Sequence, residues 1–256
     1  MKIFNITDKE ELKQTILFVF RESDPLTDLE KLFPGRIDQF ASELSWLYFN
    51  LNQVINHKRD PIPEIQMSSA FIVWNCCNTV SGAIETFGRG YVNESISLLR
   101  NVIESVCVVI HISKNSKIFQ KIKTGEHDPK QSIHHAKKTL PTAGKLWGFL
   151  SQMFNHFNYD MNGTSVVTNR DGQPNALFIG GGFDSNRKSK YTILLAYIDL
   201  VLSIVRNVTE QTFYDFVTDF NYWKKEKGVL VSNLGEEVAA KNTRLMSEVI
   251  KASSQE

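Results

Sequence analysis

Cysteine is scarce in this chain and never spaced for a metal. Only three occur in 256 residues. Cys76 and Cys77 are adjacent and Cys107 stands alone, all in apolar helical contexts. With no Cys-x-x-Cys pair, a thiolate zinc site is excluded, and three reduced, buried thiols are expected. Proline is also scarce, at 7, and glycine numbers 14. Together with 42% hydrophobic residues, this excludes disorder, collagen and low complexity. A net charge of one sign is missing: 29 Lys plus Arg against 28 Asp plus Glu leave +1. The global field therefore does not attract nucleic acid or an anionic membrane, and any such binding must come from a local patch. Long apolar runs are missing too. The opening MKIFNITDKEEL has no run of seven apolar residues after a basic region, which predicts no secretory signal. The most apolar stretches, 102–112 and 192–205, are interrupted by Glu104 and His111 and by Asp199. They fall short of the ~20 apolar residues that span a bilayer. The expectation is a cytoplasmic protein with no membrane partner.

The usual catalytic and nucleotide-binding motifs are also absent. There is no G-x-x-x-x-G-K-[ST], no G-x-G-x-x-G after a strand and no G-x-S-x-G, which removes P-loop, Rossmann and nucleophile-elbow chemistry. Gly180-Gly181-Gly182 is explained by turn formation. His134-His135 and the Glu126-His127-Asp128 cluster lack the i, i+4 ligand spacing with a carboxylate partner that a helical metal site needs. No metal and no cofactor are implied.

What is present is helical periodicity. Residues 8–22 place Leu12, Ile16, Val19 and Phe20 on one side, and residues 36–57 run Ile37, Phe40, Leu44, Leu47, Leu51, Val54 at spacings of three and four. After the linker RDPIP at 59–63, two long apolar helices at 64–87 and 91–113 flank the tight Gly88-Arg89-Gly90. An antiparallel hairpin at the centre of the core is expected from them. Further helices are predicted at 115–123, 129–139, 142–158 and 188–226, with a surface helix at 235–252. Asp171-Gly172, between β-prone runs, predicts one small β-hairpin near 164–179. The expected fold is all-α: a multi-helix bundle in a single domain, with N-terminal helices in 1–60, a core bundle in 64–226 and a C-terminal surface helix in 228–256.

From Lys114 to Lys145 eight lysines, Lys137 and Lys138 among them, face only Glu126 and Asp128, a local excess of +6. This is the one basic segment of the chain. On the helix just before it, Asn93, Ser97, Arg100, Glu104 and His111 recur at spacings of four, three, four and seven. Polar residues are therefore aligned on an otherwise apolar cylinder. Asn75, Asn78 and Glu85 do the same on the preceding helix. If the two helices pair about Arg89, residues whose numbers sum to about 178 sit level: Asn78 with Arg100, Asn75 with Glu104. The stripe has two possible roles. One is a buried, satisfied network containing an Arg100–Glu104 pair; Arg placed before Glu is the weaker i, i+4 orientation, and a buried pair seldom stabilises more than apolar packing. The other is a pocket in which Arg100 meets an anion and Glu104 or a histidine transfers protons. His156, with Ser151, Asn155, Asn158 and Tyr159 at a helix end, is the candidate histidine.

The run GYVNESISLLRNVIESVCVVIHIS, Gly90 to Ser113, resembles a helix of a widespread bacterial family of all-helical proteins of unknown function. In that family a Leu-Leu-Arg-x-x-x-Glu segment is followed some fifty residues later by Ser-x-x-x-x-His. Here Leu98, Leu99, Arg100 and Glu104, then Ser151 and His156, match it, and the resemblance implies a helical bundle. A weaker likeness is to the HEPN superfamily of helical RNases and nucleotide-binding proteins, in which an Arg-Asn pair precedes a histidine by about a turn and a half. Arg100-Asn101 and Arg206-Asn207 match its first half. The first histidine after Arg100 is His111, ~16 Å along the helix, so His156 would have to supply that group.

Two functions are therefore expected. One is binding or processing of a phosphate-containing ligand or RNA through Arg100, Glu104 and His156, with Asn75, Asn78, Ser97, His111, Lys137 and Lys138 as binding residues. The other is a non-catalytic helical interaction or sensor module of a bacterial stress or phage-defence system, forming homo-oligomers through the aromatic-rich segment 213–223.

Overall fold

The computed structural model describes residues 25–57, 62–113, 115–155, 166–168, 174–177, 188–217, 219–226 and 229–232. The expected helices at 8–22 and 235–252, and the end of the one at 142–158, lie outside the described residues. Eight helices carry most of what is described: α1 Pro25–Leu32, α2 Arg36–Ile55, α3 Glu64–Gly88, α4 Val92–Ile112, α5 Ser116–Lys123, α6 Pro129–Thr139, α7 Pro141–Asn155 and α8 Lys188–Thr212. Short capping side chains start two of them. Asn115 accepts from the amides of Lys117 and Ile118, and Asp128 accepts from Lys130, ahead of Pro129 at the first turn of α6.

α3 and α4 pack along each other more extensively than any other helix pair. Gly90 closes the connection. Its φ of 80° is left-handed, the Tyr91 amide donates to the Thr86 carbonyl and the Gly90 amide to that of Phe87, the Schellman arrangement that glycine permits. The helices then run back antiparallel. Ser95 Oγ donates to the Ala83 carbonyl at 2.9 Å, and Cys76 Sγ lies 3.9 Å from the Val102 carbonyl. Both pairs sum to 178, the level register that a turn at Arg89 dictates.

One hydrophobic cluster runs through α1, α2, α3, α4, α6, α7 and α8, with Phe213 and Val217 after the last helix. α2 contributes Phe40, Leu47, Leu51 and Val54, the stripe read from its spacing, while α4 is buried on most of its circumference. Two ionic ties join α2 to α8. Arg36 Nη1 meets Asp199 Oδ2 at 2.8 Å, with Gln39 Nε2 on the other oxygen at 3.0 Å, and Arg206 Nη1 meets Glu43 Oε2 at 3.1 Å.

α8 is shorter than the 188–226 the sequence predicts. It stops at Thr212; turns occupy 213–216, and β3 Trp223–Glu226 pairs antiparallel with β4 Val229–Ser232. The buried carboxylate of Glu210 draws the chain back by accepting from the amides of Asn221 and Tyr222 at 2.9 and 2.7 Å, while Arg206 Nε donates at 3.0 Å to the oxygen that Asn221 also meets. Strand β4 ends before the surface helix expected at 235–252, which lies outside the described residues.

The cluster is built almost wholly from helices, and no strand contributes to it among the described residues. The expected β-hairpin across 164–179 is correspondingly reduced. Only β1 Val166–Thr168 and β2 Pro174–Leu177 pair, and their register slips between Val167 and Thr168, where Pro174 brings no N–H to the ladder. α4 and residues 191–212 of α8 are long and apolar enough to cross a membrane by length and composition, against the sequence expectation that neither is. In the fold 61% and 78% of their apolar windows are buried, as in core helices.

Candidate functional site

Arg100, Glu104 and His111 lie along one line of α4, and that line meets α6 and α7. Arg100 Nη2 and Glu104 Oε1 are 3.0 Å apart, with side chains only 23% and 28% exposed. The same oxygen accepts the indole N–H of Trp147 from α7 at 2.9 Å. Two cations then flank that indole: the guanidinium carbon of Arg100 lies 5.7 Å from the ring centroid, and Nζ of Lys137, from α6, 5.6 Å. Cations at this range are drawn to the ring quadrupole. Glu104 thus joins Arg100 and Trp147 through one oxygen, and Lys137 reaches the same indole ring.

Gly144 sets the spacing between α6 and α7. A Cβ there would stand 2.9 Å from Lys137 Cα and overlap Lys137 Cγ, so only a residue without a side chain lets Lys137 pass over α7 to Trp147. Next to this contact an open groove of about 540 Å³ is lined by Lys137, Pro141, Gly144, Lys145, Gly148, Phe149 and Gln152. Phe149 forms an apolar wall, part-exposed and stacked on Tyr197 of α8 at 4.7 Å. Both the size and the mix of cations and aromatic surface suit a ligand site.

Seven residues below Glu104, about 10 Å along the helix, a second cluster forms. His111 is buried, with Nδ1 3.1 Å from Ser132 Oγ, and His127 Nε2 approaches the same hydroxyl at 2.8 Å. The His135 ring stacks on His111 at 4.5 Å and 13°, and His127 meets it edge-on at 5.9 Å. Burial, and then the charges of His135 and His127, hold the His111 pKa below the usual 6.5. Among the described residues no group of three or more His, Cys, Asp or Glu is disposed to hold a metal. Parallel stacked rings have parallel in-plane lone pairs, which do not converge on one ion.

The other residues singled out from the sequence fall elsewhere. Asn78 is exposed and accepts the Tyr48 hydroxyl of α2 at 2.7 Å; Asn75 is exposed as well. The bonds across the α3–α4 seam come from Ser95 and Cys76. Level register fixes height, not direction around the helix: positions 75 and 78 flank the seam residues 76, 77 and 80, and Asn78 turns to α2 while Glu104 turns to α7. Ser97 is half-buried on α4, and Lys138 is exposed on α6. His156 lies outside the described residues, so its relation to Arg100 and Glu104 does not enter the site. Arg206, of the second Arg-Asn pair, is used inside the fold by Glu43 and Glu210, with its guanidinium carbon 3.9 Å from the centre of the Trp46 ring. The aromatic segment 213–223 is largely inward too: Phe213 and Tyr222 are buried, and Phe216, Phe220 and Trp223 half-buried. Part of this segment is therefore used in the chain's own packing.

Sequence reasoning missed Trp147 as a site residue, having assigned it to the buried face of its helix. It also passed over the association of His127 and His135 with His111. A signal for the latter exists: on a helix starting at Pro129, His135 follows Ser132 by three and precedes Ala136, the face that α6 buries. No family model, curated protein or solved structure matches this chain.

Proposed function

We propose that this chain is an RNA-binding protein of the cytoplasm that holds a phosphate-bearing strand on the α4–α6–α7 face. The observation that supports it is the pair of cations, Arg100 and Lys137, within 5.7 Å of the Trp147 ring centroid, with Lys145 and Phe149 in the adjoining groove. Phosphates would be met by the cations and a base by the aromatic surface, the combination single-stranded nucleic acid requires. Glu104 has a positioning part, fixing Arg100 and the indole together through one oxygen. Exposed lysines of α5 and α6, Lys117, Lys121, Lys130 and Lys138, extend the positive surface. The proposal is one of binding. Catalysis by Arg100 and Glu104 with His156, as in the two family resemblances, would be a further step.

Fluorescence anisotropy of a labelled single-stranded RNA at two salt concentrations tests it. Affinity should fall steeply with salt, and Lys137→Ala or Lys145→Ala should each weaken binding and lower the salt slope by about one. Absence of salt-dependent binding, together with dimerisation, would favour the non-catalytic module instead. The observation behind that second reading is the exposure of Phe49 and Phe71, at 57% and 52%, on α2 and α3.

A further inference from the structure

We propose that His111, His127, His135 and Ser132 form a latch that holds α6 on α4 while the histidines are neutral and releases it when they take up protons. The geometry of the shared hydroxyl comes first. Ser132 Oγ lies within hydrogen-bond range of His111 Nδ1 and His127 Nε2, yet it owns a single hydrogen. One nitrogen must therefore accept and the other donate, an ordered chain that requires at least one neutral ring. Protonating both leaves two N–H donors on the oxygen and the hydroxyl hydrogen with neither nitrogen to bond, at a position with no solvent exposure. The stack adds repulsion, because a charge on His111 faces a charge on His135 at 4.5 Å.

The surroundings offer little to offset such charges. On α4 the nearest acid along the helix line is Glu104, about 10 Å away and tied to Arg100 and Trp147. From the turn before α6, Glu126 is exposed and the carboxylate of Asp128 accepts the Lys130 amide. α6 itself brings Lys130, His134, Lys137 and Lys138, all exposed, and α7 brings Lys145. α5 brings Lys117, Lys121 and Lys123, the last paired with Glu64 at 2.6 Å. The neighbourhood is mostly basic. The sign follows from the His111 pKa, which burial and the neighbouring rings hold below 6.5. The unfolded or undocked state then binds more protons, so docking is at full strength above pH 6.5 and is lost as pH falls through the lower, docked value. The buried contacts of α6 are few, namely Ser132, Ile133 and Ala136, and Ser132 is itself part of the cluster. Lys137 lies two residues beyond His135, so release of α6 withdraws Lys137 from Trp147. That last link, from latch to groove, rests on the binding function proposed above.

Hydrogen exchange of the full chain at pH 8 and pH 5.5, corrected for intrinsic rates, tests the latch. Amides of 127–139 should exchange several-fold faster at the lower pH, while those of α3 and α8 stay protected. His111→Asn keeps a polar atom near the Nδ1 position and His135→Phe keeps the stack, and neither takes up a proton; each should shrink the response. His134→Gln, on the exposed side, should leave it intact. If His111→Asn does not fold, the half-buried His135→Phe carries the comparison. Equal exchange of 127–139 at both pH values, or an undiminished response in His135→Phe, would overturn the latch. RNA anisotropy at both pH values separates the two proposals: α6 opening without RNA binding at either pH supports the latch and sinks the binding function.

Discussion

The indole nitrogen of Trp147 donates to Glu104 Oε1 at 2.9 Å, across 43 residues of chain. Because Arg100 meets the same oxygen, the carboxylate serves α4 and α7 at once. An Arg-before-Glu pair is a weak helix stabiliser by itself. Here its contribution is to aim the guanidinium along the indole and to tie α7 in place.

Trp147→Phe keeps an aromatic ring and removes the donor. It should lower stability by about 1 kcal/mol, the net contribution of one hydrogen bond with a charged acceptor at a part-exposed site, as read by urea unfolding. RNA binding should weaken in the same variant; unaltered stability and binding together would show that the contact is incidental.

Gly144 and Gly148, one helical turn apart on α7, should respond oppositely to alanine. At 144 the new methyl meets Lys137 backbone, and stability should fall by roughly 1–3 kcal/mol, as overpacking does. At 148 a Cβ meets nothing within 4 Å, so alanine should raise stability by about 0.5–1 kcal/mol through helix propensity. Thermal melts of the two variants side by side check this.

Arg100→Met combined with Glu104→Leu distinguishes scaffold from site. Both side chains are about three-quarters buried, and an apolar pair of similar volume should leave the fold within about 1.5 kcal/mol of the parent. RNA affinity should nonetheless drop by at least tenfold. A double variant that binds as the parent does would remove Arg100 from the site.

The three thiols should be inert in the native state. Burial pushes the pKa of Cys76 and of Cys107 up to about 12, and that of Cys77 upward as well, with Cys76 adding to the effect there. An aromatic disulfide reagent at pH 8 should titrate none of them before denaturant is added and all three afterwards. Rapid native reaction of Cys107 would contradict its burial.

Helix positions and the α3–α4 register were legible because both follow from spacing along a cylinder. Leu47, Leu51 and Val54 point inward as their period requires, and Gly90 marks the turn about which 83 pairs with 95. The end of α8 was not. Phe213, Phe216, Phe220 and Trp223 keep helical spacing, yet the chain has already left the helix, because Glu210 captures the amides of Asn221 and Tyr222. A local period cannot register a long-range acceptor. The two-residue Lys227-Gly228 link between WKKE and VLVS was the available hairpin signal. In the site, Arg100 and Glu104 stood out as charges on an apolar helix. Trp147 did not, since an indole on a buried face is indistinguishable from core until its N–H partner is known. The histidine cluster needed α6 folded back on α4 before residues 111, 127 and 135 met.

The ties between α2 and α8 bear on how the chain is made. Arg36 and Asp199 are 163 residues apart, as are Glu43 and Arg206. At roughly 5–20 residues per second of synthesis, α2 emerges roughly 8–30 s before the partners of Arg36 and Glu43 exist. Among the described elements made before α8, its main packing partner is α3, with α1 second. The ribosome thus imposes a sequence of assembly in which the α1–α4 half collapses first and the buried charges of α8 seal it last.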